Sequence, residues 1–148
     1  VVGLRGQTKF SRVWAYTPNI LFSALISPHS PPDTIYRAWR LKRFDLVTSQ
    51  AQLEEIRRAS RYPKLQAILQ PAAVGTMINH LQGATILGKL SITVEADDPD
   101  DSFLLSMALA SQADYLVTGD RRAGLLQRGS IARTRILTPT VFCAQVLS

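Results

Sequence analysis

Three groups of carboxylates stand where this chain could do chemistry: Glu54 and Glu55 in "LVTSQAQLEEIRRA", the run "EADDPDD" over 95–101, and Asp120 closing "YLVTGD". The run packs five carboxylates into seven positions of a chain whose net charge is +6 and whose sequence pI is near 10. Carboxylates that meet at one crevice repel unless a hard cation sits among them, and oxygen-only ligands with waters suit Mg²⁺ or Mn²⁺. No His or Cys pair stands at zinc-ligand spacing, which argues against Zn²⁺. His29 and His80 are read as a loop residue and a helix residue.

Each acid also has a structural reading. Asp98 followed by Pro99 is a good helix start, with Asp100 and Asp101 where the helix dipole favours negative charge. Glu54 and Glu55 stand four and three residues before Arg58 and could pair with it on a solvated helix face. Asp120 after Gly119 suits a turn.

The elements that have to position these acids alternate along the chain. Short β-rich runs, "RVWAY" (12–16), "FDLVTS" (44–49), "KLSITV" (89–94), "YLVTGD" (115–120) and "RILTP" (135–139), are separated by helix-like segments. That order predicts an α/β domain with a mainly parallel sheet of about five strands, covered by helices on both faces. Asn19 is read as the cap of a helix through "ILFSALI", and a second helix carries Ile35 to Leu41. Ser49 has Gln52 three residues on, the spacing of a capping box. Helical segments are expected within 64–82, "SFLLSMALASQ" reads as a buried helix because it is apolar almost all round, and "TVFCAQVL" closes the chain. In such sheets, sites form at the carboxyl ends of the strands. Glu55, Asp97 to Asp101 and Asp120 all fall at or just after such ends.

At 148 residues and 46% hydrophobic the chain has the size and composition of one globular domain. Arginines and lysines cluster at 37–43, 57–64 and 121–135, which suits a polyanionic partner, nucleic acid above all, and equally a merely solvated surface. The lone Cys143, among Val141, Phe142, Ala144 and Val146, is read as core filler in a reducing cytoplasm. "VVGLRGQTKF" lacks the apolar core of a secretory signal, and the uncharged stretch 65–88 holds too many polar groups for a bilayer, so no membrane association is expected.

Four segments in order resemble the PIN domain, a family of small metal-dependent nucleases that includes many toxins of toxin–antitoxin pairs. They are "PNILFSALISP", "LVTSQAQLEEIRRA", "DDPDDSFLLSMALASQADYLVTGD" and "RILTPTVF", and they cover nearly the whole chain. The resemblance implies a three-layer α/β/α fold. It implies Glu55, Asp101 and Asp120 as metal ligands for Mg²⁺ or Mn²⁺, Asp98 as a further candidate, Thr118 as the hydroxyl beside the site, and Asn19 near it. The family's first acid is missing: its Asp-Thr-Asn aligns with Thr17, Pro18 and Asn19, and no Asp or Glu occurs before Asp33. A Thr hydroxyl in place of a carboxylate removes a full negative charge and lowers metal affinity, yet three carboxylates still suffice for one Mg²⁺ that keeps its waters.

The expected activity is therefore metal-assisted hydrolysis of RNA phosphodiesters, weakened at position 17, in a homodimer held in check by a cognate antitoxin. The alternative is a non-catalytic RNA- or protein-binding module that uses Arg37 to Arg43 and Arg121 to Arg135 for phosphates. A receiver-like phosphoacceptor domain would need an acidic pair after the first strand, and this chain has none.

Overall fold

In the computed structural model of the chain the described residues are 12–15, 18–119 and 124–147, with side chains described from Ile20 onward. The expectations for Thr17 and Asp120, and for the side chain of Asn19, lie outside them.

The sheet contains β1 (Arg12–Ala15), β2 (Asp45–Ser49), β3 (Thr85–Leu87), β4 (Tyr115–Val117), β5 (Ser130–Ile131) and β6 (Thr134–Leu137). Its order is β3-β2-β1-β4-β6-β5, and every pair is parallel except the short β5 against β6. Chain order runs outward in one direction from β1 through β2 to β3, then returns to β4 on the other side of β1. The switch point of this doubly wound sheet therefore lies between β1 and β4, where ligand crevices form in such folds.

Four of the five expected strands are present, and the third is not where the pattern placed it. "KLSITV" forms no strand; the sheet edge is instead Thr85–Leu87, paired in register with Val47 to Ser49. Strand alternation would put Leu90, Ile92 and Val94 on one face, but Leu90 and Val94 pack against the core while Ile92 is 53% exposed. The backbone N–H groups of Thr93 and Val94 donate to Ser106 Oγ rather than to a neighbouring strand. A helix hydroxyl has replaced the ladder as the acceptor of these two backbone donors. The strand β5 had no counterpart among the sequence expectations.

Helices connect the strands: α1 (Pro18–Ile26), α2 (Pro31–Arg40), α3 (Gln50–Ala59), α4 (Pro63–Gln66), α5 (Pro71–Leu81), α6 (Pro99–Ser111), α7 (Leu125–Arg128) and α8 (Pro139–Phe142), which continues as a π-helical turn, Cys143–Leu147. Their starts follow local chemistry. Ser49 Oγ accepts the Gln52 N–H at 3.1 Å, Asp98 Oδ1 accepts that of Asp100 at 2.8 Å, and Thr138 Oγ1 accepts that of Val141 at 3.1 Å. Proline occupies the first turn of α2, α4, α5, α6 and α8, where its missing N–H costs nothing. Because α1 already begins at Pro18, Asn19 sits inside its first turn and is not the cap expected from sequence. At the other end of α6, Gln112 adopts the left-handed conformation that stops a helix.

Period-two alternation along the strands divides the core into two layers. Leu46, Val117 and Leu137 face one way, into a cluster with Ile20, Phe22, Trp39, Leu53, Met77 and Phe142 from α1, α2, α3, α5 and α8. Their neighbours Val47, Leu116 and Ile136 face the other way, onto Leu104, Leu105 and Met107 of α6 and Leu125 of α7. The result is a three-layer α/β/α arrangement. The apolar stretches 20–26 and 35–41 serve this core, leaving Ile26 and Leu41 exposed at its margin. Among the described residues no helix is long and apolar enough to cross a membrane.

Candidate functional site

Because β1, β2, β4 and β6 are parallel, their carboxyl ends share one edge of the sheet. The chain segments that leave this edge carry the acids singled out above. On one side, the segment after β3 runs along α6 toward its start. Ser106 Oγ accepts from Thr93 and Val94, and Ser102 Oγ accepts the Ala96 N–H at 2.8 Å, so two serines one helical turn apart fasten 93–96 to the helix. This explains why Ser102 and Ser106 are buried in a helix that is otherwise apolar on its inner face.

The segment continues into Asp98, whose carboxylate caps α6, and then into Asp101 in the first turn. Asp98 is thereby engaged with the Asp100 N–H, as the helix-start reading anticipated. Asp101 is a different case, only 8% exposed although its side chain is a carboxyl, on a turn where the helix dipole favours an anion. It lines a cleft of about 820 Å³ together with Glu95, Ala96, Asp97, Asp98 and Leu105. The opposite wall is the start and outer side of α7: Gly124, Leu125, Gln127 and Arg128.

The two walls nearly touch at one place. Gly124 has φ +85°, and a Cβ there would lie 2.6 Å from Oδ2 of Asp101. Only glycine combines that backbone conformation with room for the carboxylate. Buried Leu125 then anchors α7 in the core below.

Thr118 is fully buried at the end of β4, and its N–H extends the ladder by donating to Leu137 O at 2.9 Å. Glu55 stands on α3, the helix that follows β2. Its carboxylate is ion-paired with Arg58 on α3, the i+3 pairing that the sequence allowed, and it is not among the residues lining the cleft. This partner also pushes the Arg58 guanidinium further toward its charged form. Glu54 is exposed. Among the described residues no three His, Cys, Asp or Glu side chains are grouped so as to hold a metal ion. The cleft offers carboxylate oxygens from Glu95, Asp97, Asp98 and Asp101, the ligand type that a hard divalent cation takes.

Sequence reasoning did not single out Gly124, Ser102, Ser106 or Gln127. A glycine shortly after the strand-ending "VTGD" was the one local signal available for the close approach. The histidines lie apart from the cleft. Tyr36 OH and His80 Nδ1 are hydrogen-bonded at 2.8 Å between α2 and α5. Burial, with the Arg40 charge beside it, lowers the His80 pKa, while burial raises that of Tyr36.

A search of curated proteins found no match. A family model described as the PIN domain matches residues 18–122, more than half of the chain and the whole span from α1 to the loop after β4. With the ordered acids, the parallel sheet and the Asp101 cleft already in place, this match shows that the chain belongs to the PIN-domain family, whose members are generally metal-dependent nucleases.

Proposed function

We propose that this protein is a metal-dependent endoribonuclease that hydrolyses RNA phosphodiesters at the Asp101 cleft. The observation that carries the reading is the Asp101 carboxylate, 8% exposed, in a cleft it shares with Glu95, Asp97 and Asp98 at the start of a buried helix in a PIN-family chain. In this reading Asp101, with Glu55 and Asp120 as the resemblance assigns them, holds Mg²⁺ or Mn²⁺. Such an ion, when bound, polarises the scissile phosphate and lowers the pKa of a water. The chain's own contributions are narrower. Asp101 supplies an oxygen, the Asp98 cap and the 93–96 segment hold the wall from which it projects, and the resemblance assigns the Thr118 hydroxyl a place beside the site. A toxin-type role, with a homodimer and a cognate protein antitoxin, belongs to the same proposal and rests on the resemblance.

Purified protein with Mn²⁺ or Mg²⁺ is expected to cut single-stranded RNA, and Asp101→Asn, which keeps the shape but removes the charge, is expected to abolish cutting. Cleavage at the wild-type rate by Asp101→Asn would overturn the site.

Two observations favour a second reading, a PIN-fold module that binds RNA without cutting it. Thr17 stands where the family has its first Asp, and Glu55 is paired with Arg58. This reading holds if the wild type binds RNA but is inert with both metals, and Thr17→Asp creates activity.

A further inference from the structure

Much of the chain's basic excess is engaged internally. Arg37 pairs with Asp33, Arg58 with Glu55 and Arg133 with Asp114. Arg43 donates to Leu147 O and Arg135 to Gln145 Oε1, and the Arg40 guanidinium lies 5.3 Å over the Trp39 ring. These arginines have partners within the chain.

Arg128 is placed differently. It is exposed on the last turn of α7 and lines the same cleft as Glu95, Asp97, Asp98 and Asp101. Among the described residues it nevertheless has no ion pair within 4.0 Å. An exposed pair gains little by closing, so Arg128 can stay apart from these carboxylates and available to a ligand. Its backbone is fixed: α7 is anchored by buried Leu125, and the Arg128 N–H donates to Gly124 O at 2.9 Å, in the turn that lies against Asp101. The cleft is thus acidic on one wall and carries a guanidinium on the other, with space between them for a ligand. A phosphodiester suits the Arg128 side of that space, away from the carboxylates, because a guanidinium matches two phosphate oxygens with two parallel N–H donors.

We infer that Arg128 is a substrate-binding residue that grips a phosphate of single-stranded RNA, so that the strand runs between α7 and the 95–101 wall. The inference deepens the proposed function and rests on RNA being the ligand, but not on its being cut. Arg128 binds and positions the strand; it is not assigned to the chemical step.

The test uses the whole protein and a fluorescent single-stranded oligoribonucleotide, with anisotropy read in EDTA over a series of salt concentrations. Arg128→Gln is expected to weaken binding about tenfold and to reduce the salt slope by about 1, as loss of one phosphate contact does. Arg128→Lys should recover part of the loss, and Arg61→Gln, an exposed cation outside the cleft, should bind like the wild type. Since Arg128 is exposed, the melting temperature should not move, which separates lost contact from lost fold. With Mn²⁺, Arg128→Gln should raise KM and leave kcat near the wild-type value.

Wild-type affinity in Arg128→Gln overturns the inference, as does an equal loss in Arg61→Gln or a wild type that binds no RNA. If Arg128→Gln weakens binding while the wild type cuts nothing with either metal, the inference stands and the nuclease reading falls.

Discussion

Gly124 is the residue at which the smallest change should have the largest consequence for the cleft. Its φ of +85° is strained for any residue with a Cβ, and that atom would also lie 2.6 Å from the Asp101 carboxylate. Gly124→Ala is therefore expected to cost about 1–3 kcal/mol in urea unfolding and to weaken cleavage, because either α7 or Asp101 has to move. Gly75 is the control. It sits mid-helix in α5 with nothing within 4 Å of an added Cβ, so Gly75→Ala should be neutral or stabilising by about 0.5–1 kcal/mol. Equal stability effects at the two positions would remove Gly124 from its role. The same scale explains why Asp98 and Asp101, three residues apart, differ in use although both line the cleft: Asp98 uses its carboxylate to cap the helix, while Asp101 stands in the first turn against Gly124.

At the scale of elements, α6 is the organiser of the site. One end presents Asp101, its apolar face fills the second core layer, and Ser102 and Ser106 hold the acidic wall. Ser106→Ala removes the acceptor of both the Thr93 and Val94 N–H groups. We expect a cost of about 1 kcal/mol and faster hydrogen exchange at those two amides, with the amides of α6 itself still protected. Unchanged exchange at 93 and 94 would show that the wall is held by something else. Short α7 depends on its neighbours, since a helix of one turn has no stability of its own in water. Leu125 in the core and Gly124 against Asp101 are what place it.

For the molecule as a whole, the two core layers meet through the sheet, and the C-terminal segment closes the larger one. Phe142 is fully buried, edge-on to Phe44 at 5.7 Å and to Tyr115 at 5.5 Å between ring centroids. It thus ties α8 to residues beside β2 and in β4. Phe142→Ala should cost about 3–5 kcal/mol, and the loss should appear in one cooperative transition seen equally by fluorescence and circular dichroism. Separate transitions would mean that the C-terminal turn folds apart from the sheet. Cys143 beside it bears out the core-filler reading in part: it is half-buried, its Sγ faces Pro31 O at 3.6 Å, and burial raises its pKa.

What the sequence determined by itself was what depends on neighbours within a few residues. Serine, aspartate and proline at helix starts, the two-residue period of the strands, and the order of acids after strand ends are all local. They led to α3 and α6, to four of the strands and to the family. The third strand failed because alternation in "KLSITV" describes only what those residues can do, while Ser106, distant in sequence, decided where their N–H groups go. Glu55 likewise had two local readings, and the folded helix has it paired with Arg58. Only tertiary structure could set Gly124 against Asp101 and Arg128 across a cleft from four carboxylates, because those distances are fixed by how α7 and α6 pack on the same face of the sheet.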